Sequence, residues 1–280
     1  MTDKDNIEYW LNAVHQGDVI EKLKEMPEGS VDLVISDPPY NLSTGSDMYY
    51  GGDGDGDFGG EWGKVNENWD NFDDGEYMQF TFEWVKQCKR ILEDGGGIFI
   101  FGTYHNIGDV NVVLNKLSLT ILNEIIWYKR NAFPNLSTTS LTASHENILW
   151  AYKGNDKNYK FNYDEIKEGK WEYDSFDKEN TQVRTVWNIP NNKQFDEEKD
   201  IDHPTQKPRS VIDRIVRMAS DEEDIILDPF AGSGTSLVAA KQNSRKYIGI
   251  EREEEFVKTT RNRLEKCDEH EDDGRSIFDY

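Results

Sequence analysis

Residues 224–251, "DIILDPFAGSGTSLVAAKQNSRKYIGIE", limit the fold more than any other stretch of this chain. A short apolar run, Ile225 to Leu227, reads as a buried strand. A glycine-rich turn follows, then "SLVAAKQN" at helical spacing, then a second strand, "KYIGIE". A strand, one helix and a strand joined by short turns form a crossover that lays the two strands parallel. A parallel sheet needs helices on both faces. The expected fold class is therefore α/β, a doubly wound and mostly parallel sheet. In the turn, Gly232 and Gly234 let the backbone approach a ligand and present N–H groups to it. No lysine follows the last glycine, so this is not a phosphate-binding P-loop, and the spacing is not that of a dinucleotide fingerprint. Glu251 closes the second strand, 19 residues after Gly232, where a carboxylate can accept from two ribose hydroxyls. The pair suggests a nucleoside cofactor without a pyrophosphate.

A second stretch, "SVDLVISDPPYNLS" (30–43), raises a different chemistry. Val31, Leu33 and Ile35 alternate as in a buried strand, which ends in Asp37, Pro38, Pro39 and Tyr40. The prolines fix the backbone just past the strand tip. Asp37 and the Pro38 carbonyl can then accept both hydrogens of one amino group, while Tyr40 offers a face for stacking. The exocyclic amine of a nucleobase is a poor nucleophile because its lone pair is delocalised. Two acceptors on its hydrogens favour a pyramidal nitrogen and relieve the charge that grows as it attacks. A base must leave the helical stack to enter such a pocket.

Elsewhere the pattern predicts a helix from Val19 to Met26 and a long helix from Glu76, carrying Tyr77, Phe80, Trp84, Cys88, Ile91 and Leu92 on one face. Gly95 to Gly97 are expected to stop it before a short strand, "IFIFG" (98–102). Strands are expected within 119–130 and 146–154, and helices at 209–220 and 253–266. Residues 41–75 hold nine glycines, nine acidic residues and one lysine, a composition that reads as a lid loop rather than as packed structure. "DGDGD" (53–57) fails as a calcium loop, since Phe58 and Lys64 stand where glycine and glutamate are needed. His145 begins "HENIL", but Leu149 replaces the second histidine of a zinc motif. His145 and His105 receive no role, and no metal is expected. The expected organisation is a catalytic half (1–152), an inserted region (153–202), a cofactor-binding half of the same domain (203–266) and an acidic, frayed tail (267–280).

The formal net charge of −23 argues against phosphate binding by bulk attraction. A salt-rich cytoplasm would remove that objection, since the screening length falls to about 3 Å at 1 M salt. Lysines outnumber arginines, which opposes the idea, and a halophilic source is left open. Cys88 and Cys267 are isolated and form neither a disulfide framework nor a CxxC site. With an acidic N-terminal segment and no long apolar run, neither a secretory leader nor a membrane partner is expected, and the chain reads as cytoplasmic.

Six segments in order, "QGD" (16–18), "DPPY" (37–40), "GGIFIFG" (96–102), "HPTQKP" (203–208), "DPFAGSGTS" (228–236) and "GIE" (249–251), resemble the DNA amino-methyltransferases that use S-adenosylmethionine. With the chemistry motif ahead of the cofactor motif, the order is similar to the β group, whose members act on adenine N6 or cytosine N4. The resemblance implies a Rossmann-like methyltransferase fold, double-stranded DNA as substrate and S-adenosylmethionine as cofactor. It implies that Asp37, Pro38, Pro39 and Tyr40 hold the target base. It also implies that Asp228, Phe230, Gly232, Gly234, Thr235 and Ser236 line the cofactor, and that Glu251 binds its ribose. Asp18 would meet its adenine, and Thr205 and Lys207 its carboxylate. Lys129, Arg130 and Arg184 are candidates for DNA contact, as are Trp171, Asn188 and Lys193 within the inserted region. DPPY leans to adenine, and cytosine N4 is the alternative. RNA or protein amide methylation, or an inactive partner subunit, stand further off. A cognate restriction endonuclease and a homodimer are left open as partners.

Overall fold

The computed structural model describes residues 6–41, 74–132, 140–169, 171, 181–191 and 206–272. Most of the expected lid, the "DGDGD" stretch, Lys193, Thr205 and the end of the acidic tail lie outside the described residues. The elements run β1 (Ala13–Gln16), α1 (Val19–Glu25), β2 (Val31–Ser36), α2 (Asp74–Ile91), β3 (Leu92–Gly102), α3 (Ile107–Lys116), β4 (Thr120–Tyr128), β5 (His145–Tyr152), α4 (Tyr163–Glu168), β6 (Val186–Asn188), α5 (Arg209–Ala219), β7 (Ile225–Asp228), α6 (Thr235–Gln242), β8 (Lys246–Glu251) and α7 (Glu254–Asp272). The strands form one sheet in the order β1-β8-β7-β2-β3-β5-β4-β6. Every ladder is parallel except the two that β5 makes with β3 and β4. The doubly wound α/β reading holds.

Alternation along the central strands builds two cores. Leu33 and Ile35 of β2, with Phe99 and Phe101 of β3, pack with Val211, Ile215, Leu237 and Val257 of α5, α6 and α7. Val31, Val34, Ile98 and Ile100 face the other way, against Leu23, Trp84, Cys88 and Val113 of α1, α2 and α3. Period-2 side chains on strands covered on both faces require both layers.

Three boundaries differ from the sequence expectation. The long helix stops at Ile91, and Gly95 to Gly97 lie inside β3. The helix ends where Leu92 pairs with Val31 and the Gly29 and Ser30 N–H groups bond to the carbonyls of Arg90 and Ile91. The first of these glycines meets the loop after β5. Gly95 has φ +94°, donates to the Lys153 carbonyl at 2.7 Å, and a Cβ there would sit 2.7 Å from the Asn158 carbonyl oxygen. Helix α7 runs on to Asp272, six residues past the expected end. The described parts of 153–202 join the main body: β6 is the eighth strand, paired with β4. Its Trp187 and the neighbouring Trp171 hold the buried Arg214 guanidinium of α5 between them, each 4.9 Å from its ring centroid. That sandwich is a desolvated cation–π contact.

Strands β2 and β7 lie side by side, with Leu33 level with Ile226 and Val34 with Leu227. From β7 the chain winds through α6 to β8, and from β2 it goes to α2 and β3, on the opposite face and in the opposite direction. That divergence is a topological switch point, and the crevice above its carboxyl ends is where such sheets bind ligands.

Candidate active site

The register carries both sequence motifs to that crevice. With Val34 level with Leu227, Ile35 is level with Asp228, so the Asp37–Tyr40 turn and the glycine turn leave adjacent strand tips in the same direction. Pro38 is buried and the Pro39 carbonyl accepts from Tyr77 Oη at 2.9 Å. Tyr77 Oη in turn accepts from Asn106 Nδ2, whose Oδ1 accepts from the Thr103 N–H. The turn is thus braced from α2 and from the end of β3.

Around it lies a compact charge cluster. Tyr40 Oη donates to Asp37 Oδ1 at 2.5 Å, and Lys207 Nζ donates to Asp37 Oδ2 at 2.6 Å. Glu146, at the start of β5, stands beside both: its Oε2 is 3.3 Å from Tyr40 Oη and 3.4 Å from Lys207 Nζ. Its Oε1 accepts from Lys129 Nζ at 2.9 Å. Two carboxylates and two ammonium groups balance. Burial pushes the Glu146 carboxyl up, but Lys207 and Lys129 outweigh it and hold the group below the ordinary range. Burial would lower Lys207; Asp37 and Glu146 overcome that and raise it. Burial, then Asp37 and Glu146, push the Tyr40 phenol well above its usual value, so it is a neutral donor at physiological pH.

In the glycine turn, Gly232 (φ +49°) and Gly234 (φ +78°) take the left-handed conformation that favours glycine. Glu251 spans the turn: Oε2 accepts from the Gly232 N–H and Oε1 from the Glu253 N–H, both at 2.8 Å. The Arg252 N–H also bonds to this carboxylate, which keeps acceptor capacity for a ribose hydroxyl. Phe230 sets its ring edge-on to Trp84, 5.3 Å between centroids, and so is fixed by α2. Thr235 and Ser236 are buried at the start of α6, where Arg263 donates to the Ser233 carbonyl and to Thr235 Oγ1. Asp18, two residues beyond β1, caps α1 by accepting from the Glu21 N–H and lies on the same rim, since Gln16 pairs with Glu251. These residues fit a nucleoside with a vicinal diol: an acidic acceptor, a turn in which glycine keeps the backbone bare, and an aromatic wall.

Asp228 lies under this turn. Burial pushes its carboxyl up to about 7, against hydrogen bonds from Ser236 and the Phe230 N–H, with Asp37 and Glu251 raising it further. In the unfolded chain an aspartate titrates near ~3.9. Between the two values the folded protein holds a proton that the unfolded chain has released. Stability therefore falls as pH rises through that window, at most by about 1.4 kcal/mol per pH unit. In Asp228→Asn, denaturation between about pH 4 and 7 should lose this slope.

The DNA candidates separate. Lys129 is spent on Glu146, with its side chain only 17% exposed. Arg130, Arg184 and Asn188 are exposed; Arg130 and Asn188 lie at the carboxyl ends of β4 and β6, and Arg184 lies before the start of β6. Trp171 is a packing residue against Arg214 and Arg217. Lys207, expected at a cofactor carboxylate, has its ammonium on Asp37 and Glu146, because a half-buried and a buried acid converge on it. Glu146 was missed in the sequence. Its one signal was an acid opening an otherwise apolar strand, "ENILWAY". His145 and His105 are exposed, and among the described residues no group of His, Cys, Asp and Glu could hold a metal ion. Also among the described residues, no helix is long and apolar enough to cross a membrane.

Comparison with known proteins matches residues 31–262 to the N6/N4 methyltransferase family model, described as DNA methylase. The chain is 38% identical over 267 residues to the Type II methyltransferase M.HinfI of Haemophilus influenzae, spanning 93% of this chain and 70% of that protein. It is 37% identical over 252 residues to the Type II methyltransferase M2.DpnII of Streptococcus pneumoniae, spanning 89% and 87%. Among solved structures, the M1.HpyAVI–SAM complex aligns with a TM-score of 0.63 at 24% identity, over 90% of this chain and 98% of that one. The cytosine-N4-specific PvuII DNA methyltransferase aligns with a TM-score of 0.68 at 17% identity, over 91% and 89%. At those identities the structural likeness shows the fold alone. The family model and the two relatives go further: this chain belongs to the S-adenosylmethionine-dependent N6/N4 DNA methyltransferases.

Proposed function

We propose that the protein methylates the N6 amino group of adenine at a specific site in double-stranded DNA, on a base turned out of the helix. One observation carries the reading: the Asp37–Tyr40 turn and the Gly232–Gly234 turn leave adjacent parallel strands, so one crevice can serve a base and a nucleoside cofactor together. S-adenosylmethionine, when bound, supplies a methyl group on a positively charged sulfur. Glu251 accepts from its ribose, Asp18 meets its adenine, and Phe230, Asp228, Thr235 and Ser236 shape the wall around it. On the other side Asp37 and the Pro38 carbonyl accept from the amine, which localises the nitrogen lone pair. Tyr40 stacks on the base and offsets part of the cost of unstacking it.

Adenine is favoured over cytosine by the DPPY form of the turn: Ser36 precedes it, but Asp37 holds the first acceptor position. Arg130 and Asn188, exposed at the carboxyl ends of their strands, and the exposed Arg184 before β6 are the proposed contacts to DNA, and 153–202 the proposed recognition region. The Type II designation of the relatives favours a restriction–modification setting with a cognate endonuclease. Digesting DNA methylated by the purified protein to nucleosides should release N6-methyladenine. N4-methylcytosine would overturn the choice of base.

A further inference from the structure

Each oxygen of Asp37, the proposed acceptor for the target amine, already accepts one strong hydrogen bond before any base arrives and keeps a second lone pair. Tyr40 Oη holds one of its oxygens at 2.5 Å and Lys207 Nζ the other at 2.6 Å. An amine entering this site competes with both donors. Each of them is already within reach of a second acceptor, and it is the same atom: Glu146 Oε2, 3.3 Å from Tyr40 Oη and 3.4 Å from Lys207 Nζ. Shortening either distance to an ordinary charge-assisted bond needs a shift of about half an ångström.

Glu146 is built to stay in place. It is 8% exposed, and its other oxygen is held by Lys129, whose own N–H bonds to the Ser144 carbonyl at 2.8 Å. It opens the one strand that runs against its neighbours, so its carboxylate sits at the carboxyl rim beside the tip of β2.

We propose that Glu146 is a positioning residue for base capture: it takes over the Tyr40 hydroxyl and the Lys207 ammonium as the target amine replaces them on Asp37. The exchange keeps both donors satisfied inside a site where an unpartnered ammonium would be costly. It leaves the Asp37 carboxylate open to the amine, with Lys207 close beside it. No covalent step is involved. The inference rests on the base-pocket reading above but not on which base is methylated.

Glu146→Gln keeps the shape and removes the charge. Lys207 then has Asp37 as its sole anionic partner in the cluster and should compete harder with the base. The expected result is a loss of about 30-fold or more in kcat/KM for DNA, with cofactor affinity close to the parent protein and a lowered melting temperature, since Lys129 loses its anionic partner. A fluorescent base analogue at the target position, 2-aminopurine for adenine or pyrrolocytosine for cytosine, should report reduced capture. Glu146→Asp, which restores the carboxylate, should recover part of both signals. In a Tyr40→Phe background, where one competing donor is already gone, Glu146→Gln should cost less than it does alone. Parental kcat/KM and base capture in Glu146→Gln would overturn the proposal. So would a loss that tracks weakened cofactor binding, since that is what a merely structural role gives. Product identity in the parent protein separately decides adenine or cytosine, so either idea can fail without the other.

Discussion

Asp37→Ala should lower the single-turnover rate of methyl transfer by about 10²–10³-fold or more, the usual cost of removing one preorganised group that stabilises developing charge. Cofactor binding, measured by calorimetry, should not change. The substitution leaves Lys207 with Glu146 and Tyr40 Oη with the same Glu146 oxygen, so the pocket does not strand a buried ammonium and the fold should hold. The glycine turn and Glu251 are untouched. Asp37→Asn should be nearly as inactive, because its amide can turn a donor toward an amine that needs an acceptor. Turnover near the parental rate in either variant would remove Asp37 from the chemistry.

Gly234→Ala should damage the other half of the site. At φ +78° an alanine is strained by about 1 kcal/mol. Its Cβ would also lie within hard contact of the Thr260 methyl group and 2.9 Å from Thr260 Oγ1. Thr260 has no room to yield: it is fully buried and its hydroxyl donates to the Gly232 carbonyl at 2.8 Å. Displacing it breaks the bond that shapes the turn. A destabilisation of about 2–4 kcal/mol is expected from strain, overpacking and a lost buried hydrogen bond together. Cofactor affinity should fall with it. Adding Thr260→Ser, which removes the methyl and keeps the hydroxyl, should restore part of both; denaturant melts and cofactor titration of the single and double variants would show it.

The fold was legible where local patterns had one physical solution. The βαβ unit from Ile225 to Glu251 forced a parallel crossover, and alternation at Leu33 and Ile35 marked a buried strand. Gly95 to Gly97 misled, because glycine both ends helices and admits close neighbours. The neighbour here, the Asn158 loop, is more than 60 residues away in sequence. The motifs also showed which residues would meet: Asp37 and Gly232 are almost 200 residues apart, and strand pairing brings them together. What no local pattern could show was the ion network. Lys207 and Glu146 read as a cofactor contact and a strand residue because their partners come from three distant segments of chain. Trp171 read as a candidate DNA contact because the guanidinium it covers belongs to α5.

The reversed direction of β5 has a consequence for how such a protein can diversify. Because β4 runs up to the reactive rim and β5 runs down from it, the described ends of their connection, residues 129–132 and 140–144, lie at that rim rather than behind the sheet. Lengthening that connection would extend the protein's reach along a duplex while every strand pairing stayed as it is. Closing a loop twice as long costs only about 0.6 kcal/mol more. A single inverted strand thus gives this architecture a place to remodel its grip on nucleic acid at little thermodynamic expense.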